Sequence, residues 1–330
     1  MTLMPDFTLI RPTTLAEAVA ARQAHPEGRL LAGGTDLLVN LRRGIGTPPA
    51  LIDLGPVREL QGISFEKDGG LRLGAMTPLA KIAADPHLKQ AYPALVEAAL
   101  AVAGPTHRRV ATVGGNLCLD TRCIRYNQSE WWRAANDYCM KYQGTVCKVV
   151  PTSSRCHAVF SGDLAPALLV LGAEVELHGP DGARRMPLSA FYRDDGQSWL
   201  NLDADELLTS VFIPRPVTGL CCGYVKTRVR NAIDFPLVGV AVALRRDGAA
   251  LAELRVAYTG TSSTPVQVAG VDELLGRPLS DDGLERLAVL ARKAVQPLRT
   301  TVMTPKYRRS VAINTLKRLV QRLYAAAEPV

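Results

Sequence analysis

A cysteine-rich segment without apolar periodicity interrupts an otherwise regular pattern of short helices and strands. Four of the chain's seven cysteines lie in residues 119–159: Cys123, Cys139, Cys147 and Cys156. An irregular connection of about forty residues is uncommon inside a compact domain and is usually functional or disordered. This one also carries "EWW" and several tyrosines, and such aromatic content is not typical of a disordered chain. We therefore expect a folded segment with a function of its own.

The spacing of the four cysteines leaves their chemistry open. Fifteen, seven and eight residues separate consecutive members of the set. The short C-x₂-C pairs of zinc ribbons and bacterial ferredoxins are missing. On spacing alone, an iron–sulfur centre, a zinc site and free or redox-active thiols all stay possible.

Length and composition indicate a multidomain protein. The chain has 330 residues, of which 47% are hydrophobic, enough for two or three packed cores. No apolar stretch approaches the ~20 residues that cross a bilayer, and the N-terminus lacks the pattern of a secretory signal. We expect a cytoplasmic protein without membrane association, where cysteines serve thiol, metal or redox roles rather than disulfides.

The net charge of +8 is mostly scattered along the chain, apart from the C-terminal stretches "KYRRS" and "LKRLVQRL". A solvated helix face is the simplest interpretation, and a docking surface for an acidic protein is the next. No pattern typical of a nucleic-acid-binding domain is present, so we expect no nucleic-acid partner.

Residues 1–55 form the first predicted domain and contain a βαβ-like unit. A capping Thr precedes an amphipathic helix over 13–25. Next come a strand over 29–32, a Gly-Gly turn, a helix over 35–43 and a second strand, "PALIDL".

Residues 56–214 and 220–330 are predicted as the second and third domains. In the second, we expect a strand over 71–75, Thr77 as the N-cap of the next helix, and a strand in "RRVATVGGNL". The third has strands followed by helices over 266–275, 281–295 and 306–327, an order typical of a compact α+β module.

Two glycine turns, "LLAGGTDLL" and "ATVGGNL", share one design: an apolar strand, Gly-Gly, then a small polar residue. Glycine allows close backbone approach and positive φ, and the amides that follow can hold a pyrophosphate. Neither stretch matches the Rossmann or P-loop fingerprint. Asp36 sits where its charge competes with a phosphate, so its side chain must point aside.

These stretches, together with "LRLGAMTPLAKI", "SGDLAPALLVLGAEVEL" and "YVKTRVRNAIDFPLVGVAVAL", resemble the FAD-binding medium subunit of the xanthine oxidase/molybdenum hydroxylase family. The resemblance spans nearly the whole chain. It implies an α+β fold: a two-part FAD-binding domain of the vanillyl-alcohol oxidase (PCMH) type, followed by a C-terminal α+β domain of the CO dehydrogenase flavoprotein type.

The resemblance also implies the residues that bind FAD. Six consecutive residues are implied to line the pyrophosphate: Ala32, Gly33, Gly34, Thr35, Asp36 and Leu37. Four more are implied to form a second clamp: Thr112, Gly114, Gly115 and Asn116. Thr77 is implied to lie in a loop that approaches the cofactor, Asp163 near the ribose and adenine end, and Lys226 near the isoalloxazine. A surface position at a strand edge is the alternative for Lys226.

The cysteine-rich segment is an insertion relative to ordinary members of this family. Because it has this insertion, the chain is similar to the beta subunit of 4-hydroxybenzoyl-CoA reductase. That beta subunit is the enzyme's flavin subunit, and it carries an additional [4Fe–4S] cluster. The resemblance implies that the cysteines 123, 139, 147 and 156 hold such a cluster, and that the fold contains an inserted iron–sulfur loop.

The implied function is electron transfer. Reduced ferredoxin would donate electrons through the cluster and FAD to a [2Fe–2S] small subunit and a molybdenum-cofactor large subunit. There they would remove the hydroxyl of 4-hydroxybenzoyl-CoA in anaerobic aromatic degradation, in a dimer of heterotrimers. One alternative is a subunit of an outward-running hydroxylase or dehydrogenase with another acceptor. The other is a zinc-stabilised interaction module.

Overall fold

Three β-sheets organise the molecule. The computed structural model describes residues 4–327. The first sheet is parallel, with strand order β1–β3–β2. Its strands and their two helices are β1 (Thr8–Ile10), α1 (Leu15–Ala24), β2 (Arg29–Leu31), α2 (Leu37–Arg42) and β3 (Ala50–Asp53). The β2–α2–β3 connection is the predicted βαβ unit, and the Thr14 hydroxyl caps α1 by accepting from the Glu17 amide.

The second sheet is antiparallel and five-stranded. Its strands are β4 (Ile63–Phe65), β5 (Leu71–Gly74), β6 (Glu174–Gly179), β7 (Gly182–Pro187) and β8 (Leu207–Ile213), in the order β4–β5–β8–β6–β7. Between β5 and β6 the chain forms seven helices: α3 (Leu79–Ala84), α4 (Pro86–Ala91), α5 (Pro93–Ala101), α6 (Pro105–Arg108), α7 (Val113–Leu117), α8 (Glu130–Ala135) and α9 (Leu164–Val170). The apolar side chains of α5 and α9 pack into one core with β5 and β6.

The third sheet is antiparallel, in the order β12–β11–β10–β9. Its elements are β9 (Cys221–Thr227), β10 (Val238–Asp247), β11 (Ala250–Thr259) and β12 (Val266–Gln267), followed by α10 (Asp281–Ala294) and α11 (Pro305–Ala326). Alternate residues of β10, such as Val240 and Val242, are fully buried in a core that includes Leu287 and Leu316 of these helices. No helix within residues 4–327 is both long and apolar enough to cross a membrane.

Three predicted local structures are wrong. The stretch before the second glycine pair is not a strand, because the Thr112 hydroxyl caps α7 by accepting from the Gly115 amide. Helix α3 has Pro78 rather than Thr77 at its N-cap position. Residues 266–275 contain β12 and a short 3₁₀ turn instead of a helix.

Candidate functional site: a glycine-walled cleft and a cysteine cavity

A cleft with a volume of about 620 Å³ lies between the two glycine pairs. A Cβ atom on Gly33 would stand 2.0 Å from the carbonyl oxygen of Val110, and one on Gly114 would stand 2.8 Å from the Cβ of Ala75. Only glycine therefore lets these backbone segments approach so closely. Gly34 adds a positive φ of 69° directly before α2.

Twelve of the thirteen residues predicted to bind FAD line this cleft: Ala32, Gly33, Gly34, Thr35, Asp36, Leu37, Thr112, Gly114, Gly115, Asn116, Asp163 and Lys226. They come from four separate parts of the chain: residues 32–37, residues 112–116, Asp163 and Lys226. The fold thus brings the predicted set together, although which part of the cofactor each residue contacts remains a prediction.

Thr77 is the exception. Its side chain is fully buried, and its hydroxyl donates to the carbonyl oxygen of Gly62 at 2.9 Å and accepts from the Gly62 amide at 3.0 Å. Its neighbours Ala75 and Met76 line the cleft instead. Thr77 therefore fastens the loop to an adjacent turn.

Asp163 and Lys226 form a buried ion pair at the cleft wall. Lys226 Nζ lies 2.8 Å from Asp163 Oδ2, and the two side chains are only 4% and 5% exposed. The Tyr224 hydroxyl donates to the other carboxylate oxygen of Asp163 at 2.6 Å. The two implied roles, one at the adenine end and one at the isoalloxazine end of an extended FAD, are therefore incompatible with each other. The surface alternative for Lys226 is wrong.

Asp36 lies at the N-terminus of α2 among charged neighbours. Burial is the main cause that raises the pKa of its carboxyl; the Arg122 guanidinium opposes this shift, and the Asp120 carboxylate reinforces it. Arg122 in turn donates from Nη2 to Asn40 Oδ1 at 2.9 Å. Both Arg122 and Asp120 line the cleft, so this wall carries charges of both signs.

Sequence reasoning missed several lining residues, including three with buried polar atoms that lack a partner. These atoms are Arg22 Nε, Asn127 Oδ1 and Trp199 Nε1, each without a hydrogen bond to any residue of the described chain. Buried polar groups usually have partners. These three atoms are themselves inaccessible to solvent, so the fit to a dinucleotide rests on the glycine walls, the size of the cleft and the charged residues that line it.

A second, smaller cavity lies in the cysteine-rich segment. Its lining includes all four cysteines predicted as cluster ligands: Cys123, Cys139, Cys147 and Cys156. Backbone bonds between Arg122 and Val159, at 2.8 and 2.7 Å, close the two ends of the segment. The segment is thus a folded unit, as its aromatic content predicted.

Burial favours the protonated form of two thiols in this cavity, Cys123 and Cys156. Burial raises the pKa of Cys156 to about 11 and also raises the pKa of Cys123. Within residues 4–327, no three His, Cys, Asp or Glu side chains lie close enough together to hold a single metal ion. The cavity therefore gathers the sulfurs without forming the tight donor set of a mononuclear site.

Two buried cations lie beside the cysteine cavity: Lys141 lines it, and Arg133 lies over Tyr126, which also lines it. Lys141 Nζ bonds Asp120 Oδ1 at 2.8 Å and Thr121 Oγ1 at 2.7 Å. The Arg133 side chain, 2% exposed, pairs with Glu130 and lies over the ring of Tyr142. These cations favour an anionic occupant of the cavity.

Fold and cleft together define a flavoprotein subunit: the glycine turn before α2 and the glycine pair in α7 wall a dinucleotide-sized space, and a C-terminal α+β module follows. The family model for the FAD-binding domain of molybdopterin dehydrogenases matches residues 5–216. The model for the C-terminal domain of CO dehydrogenase flavoproteins matches residues 224–323. The chain therefore belongs to the FAD-binding subunits of the molybdopterin dehydrogenase family, and the predicted family and C-terminal domain type are confirmed.

Individual relatives agree with this assignment. The chain is 34% identical over 283 residues to the aldehyde oxidoreductase FAD-binding subunit of Escherichia coli K12, covering 83% of this chain and 87% of that subunit. It is 28% identical to a putative xanthine dehydrogenase FAD-binding subunit of the same strain, covering 96% of each. A chain of the reconstituted CO dehydrogenase from Oligotropha carboxidovorans superimposes with a TM-score of 0.80 at 27% identity, over 98% of this chain and all of the other.

Proposed function

We propose that this chain is an electron-transfer subunit that holds FAD in the cleft and a [4Fe–4S] cluster in the cysteine cavity. One observation carries the cluster: four cysteines spread over 34 positions of an irregular segment line a single cavity. Cys₄ ligation is the common mode for such clusters.

The donor geometry favours a cluster over zinc. A four-iron cluster is wider than a single ion, so its ligands need not meet at the bonding distance of one metal. The raised pKa values of Cys123 and Cys156 mean that metal binding must displace protons from these two thiols. Lys141 and Arg133 offset the negative charge of a tetrathiolate cluster, which would otherwise be costly to bury.

FAD, when bound, supplies the redox chemistry, and the protein supplies binding and orientation. The turn at Gly33 and Gly34 would hold its pyrophosphate through backbone amides, because the amides of Gly114 and Gly115 already donate to Ala75 and Thr112. The Lys226–Asp163 pair presents a fixed charge arrangement at the cleft wall, kept in place by the Tyr224 hydroxyl. Leu200, Leu202 and Leu208 provide apolar surface that excludes water.

The complex proposed around this subunit has a molybdenum-cofactor large subunit, a [2Fe–2S] small subunit and a dimer-of-heterotrimers assembly. Inward electron flow from ferredoxin to 4-hydroxybenzoyl-CoA, in an anaerobic cytoplasm, rests on the resemblance of the inserted segment. The basic charge of +8 is compatible with an acidic donor such as ferredoxin.

Outward flow is the second candidate, and one specific observation favours it. Two of the relatives reported above are named as dehydrogenases, for xanthine and for carbon monoxide, and a dehydrogenase takes electrons from its substrate. In this version an aldehyde-type substrate reduces the molybdenum site, and the cluster passes electrons from FAD to an external acceptor.

The two directions are separated by assaying the purified complex. Inward flow requires benzoyl-CoA formation from 4-hydroxybenzoyl-CoA with reduced ferredoxin. Outward flow requires oxidation of an aromatic aldehyde with oxidised ferredoxin or NAD⁺ as the acceptor. Analysis of iron, acid-labile sulfide and zinc on the same sample tests the cluster itself: zinc without sulfide would support the interaction-module alternative instead.

A further inference from the structure

A connected set of five side chains, here called the partition layer, links the cysteine cavity to the FAD cleft: Asp120, Arg122, Tyr126, Lys141 and Trp199. Asp120, Arg122 and Trp199 line the cleft, whereas Tyr126 and Lys141 line the cysteine cavity. The members are in mutual contact, so the layer is continuous from one cavity to the other.

Lys141 is the central member of this layer. Its Nζ lies 4.7 Å from the ring centroid of Trp199 and 5.4 Å from that of Tyr126. It also lies 2.8 Å from Asp120 Oδ1. The ammonium therefore contacts aromatic rings from both cavities and a carboxylate of the cleft wall.

The burial of Lys141 makes its charge effective. Its side chain is 5% exposed, and that of Asp120 is 15% exposed. In such surroundings solvent screens charges weakly, so each acts more strongly on its neighbours than it would at the surface. Lys148 lines the same cavity but is exposed, which makes it a matched contrast.

We propose that Lys141 and Asp120 are a pair of positioning charges that set the reduction potential of the centre in the cysteine cavity. Lys141 raises this potential, because a cation beside the cavity stabilises the added electron. Asp120 lowers it for the opposite reason. This inference rests on the proposed cluster. It assigns to Lys141 and Asp120 the role of setting the potential at which that cluster exchanges electrons with the flavin.

Redox titration of the holoprotein, followed by the cluster's electron paramagnetic resonance signal, tests the proposal. K141M should favour the oxidised cluster about tenfold, a shift of about 59 mV to lower potential for a one-electron couple. D120N should shift the potential upward, and the K141M/D120N double variant should return close to the wild type. K148M and K141R should leave the potential nearly unchanged.

K141M and D120N should shift the cluster potential in opposite directions. This distinguishes an effect of charge from structural damage, because damage would shift the potential in the same direction in both variants. If K141M fails to load the cluster, the upward shift in D120N still decides the question. Two results in a wild type that does load the cluster would overturn this inference alone. One is a cluster potential that K141M and D120N leave unchanged; the other is a shift in K148M as large as that in K141M. A wild type that never acquires iron and sulfide overturns the proposed cluster and this inference with it.

Discussion

The FAD cleft and the cysteine cavity are built in different ways. The cleft is assembled from at least four separate parts of the chain, and its shape depends on backbone approach at glycines such as Gly33. The cavity is lined by one contiguous segment, from Cys123 to Ala158, and has the buried ion pair of Lys141 with Asp120 at its edge. The difference teaches that the cleft belongs to the whole fold, whereas the cavity is a local addition that can be disabled separately.

The largest expected effect is the loss of the cluster in Cys139→Ser. Removing one thiolate ligand should abolish the cluster's visible absorption and the acid-labile sulfide and leave the flavin spectrum, because Cys139 does not line the cleft. Absorption spectra and sulfide analysis give the readout. Cys221→Ala, a half-buried thiol in β9, is the control and should keep both cofactors. Simultaneous loss of flavin would show that the two sites are not independent.

Next in size is Lys226→Met, which leaves the Asp163 carboxylate buried without its cation. Removing one partner of a buried pair typically destabilises a protein by about 3–5 kcal/mol. Urea unfolding of the apoprotein measures the free energy change. The Lys226→Met/Asp163→Asn double variant should recover most of the lost free energy of unfolding. If the double variant loses as much stability as Lys226→Met alone, the charge argument is refuted.

Gly33→Ala should weaken the cleft without affecting the cavity. The added methyl group overlaps the Val110 carbonyl oxygen, so the two walls must separate, and we expect at least about tenfold weaker FAD binding, or 1.4 kcal/mol. Flavin fluorescence titration of the apoprotein measures the affinity, with iron content followed in parallel. Gly283→Ala, where a Cβ meets only ordinary contacts in α10, should bind FAD normally. Unchanged affinity in Gly33→Ala would contradict the close-approach argument.

The smallest effect concerns Asp36. Since the folded state raises the pKa of this carboxyl, its contribution to stability is fully present below the pKa of the unfolded state and is lost as the pH rises through the folded pKa. Asp36→Asn should therefore make the apoprotein more stable at pH 7, by about 1 kcal/mol or less, with a smaller difference near pH 4. Unfolding curves at both pH values check this, and a difference that grows on acidification would contradict it.

The sequence was most informative where the signal is local. The helix at 281–295 and the strand at 71–75 follow from caps and apolar patterning that lie within each element. The predicted strand before Gly114 failed because the β-branched Val110, Thr112 and Val113 favour a strand locally. Tertiary contacts decided otherwise: the Gly114 amide donates to the carbonyl oxygen of Ala75 at 2.7 Å.

The candidate sites show the same limit. The glycine pairs and the four cysteines were found because their residue types are unusual in the stretches that hold them. The pairing of Lys226 with Asp163, 63 positions away, has no local signal, and neither has the convergence of Arg22, Asn127 and Trp199 on the cleft. These contacts arise only when the sheets are packed together.

The most direct test of the central claim is the iron, acid-labile sulfide and flavin content of the anaerobically purified protein. The account predicts one FAD with about four irons and four sulfides per chain, and a Cys147→Ser variant that keeps only the flavin. Flavin with no sulfide in the wild type, or iron that persists in the variant, would contradict it.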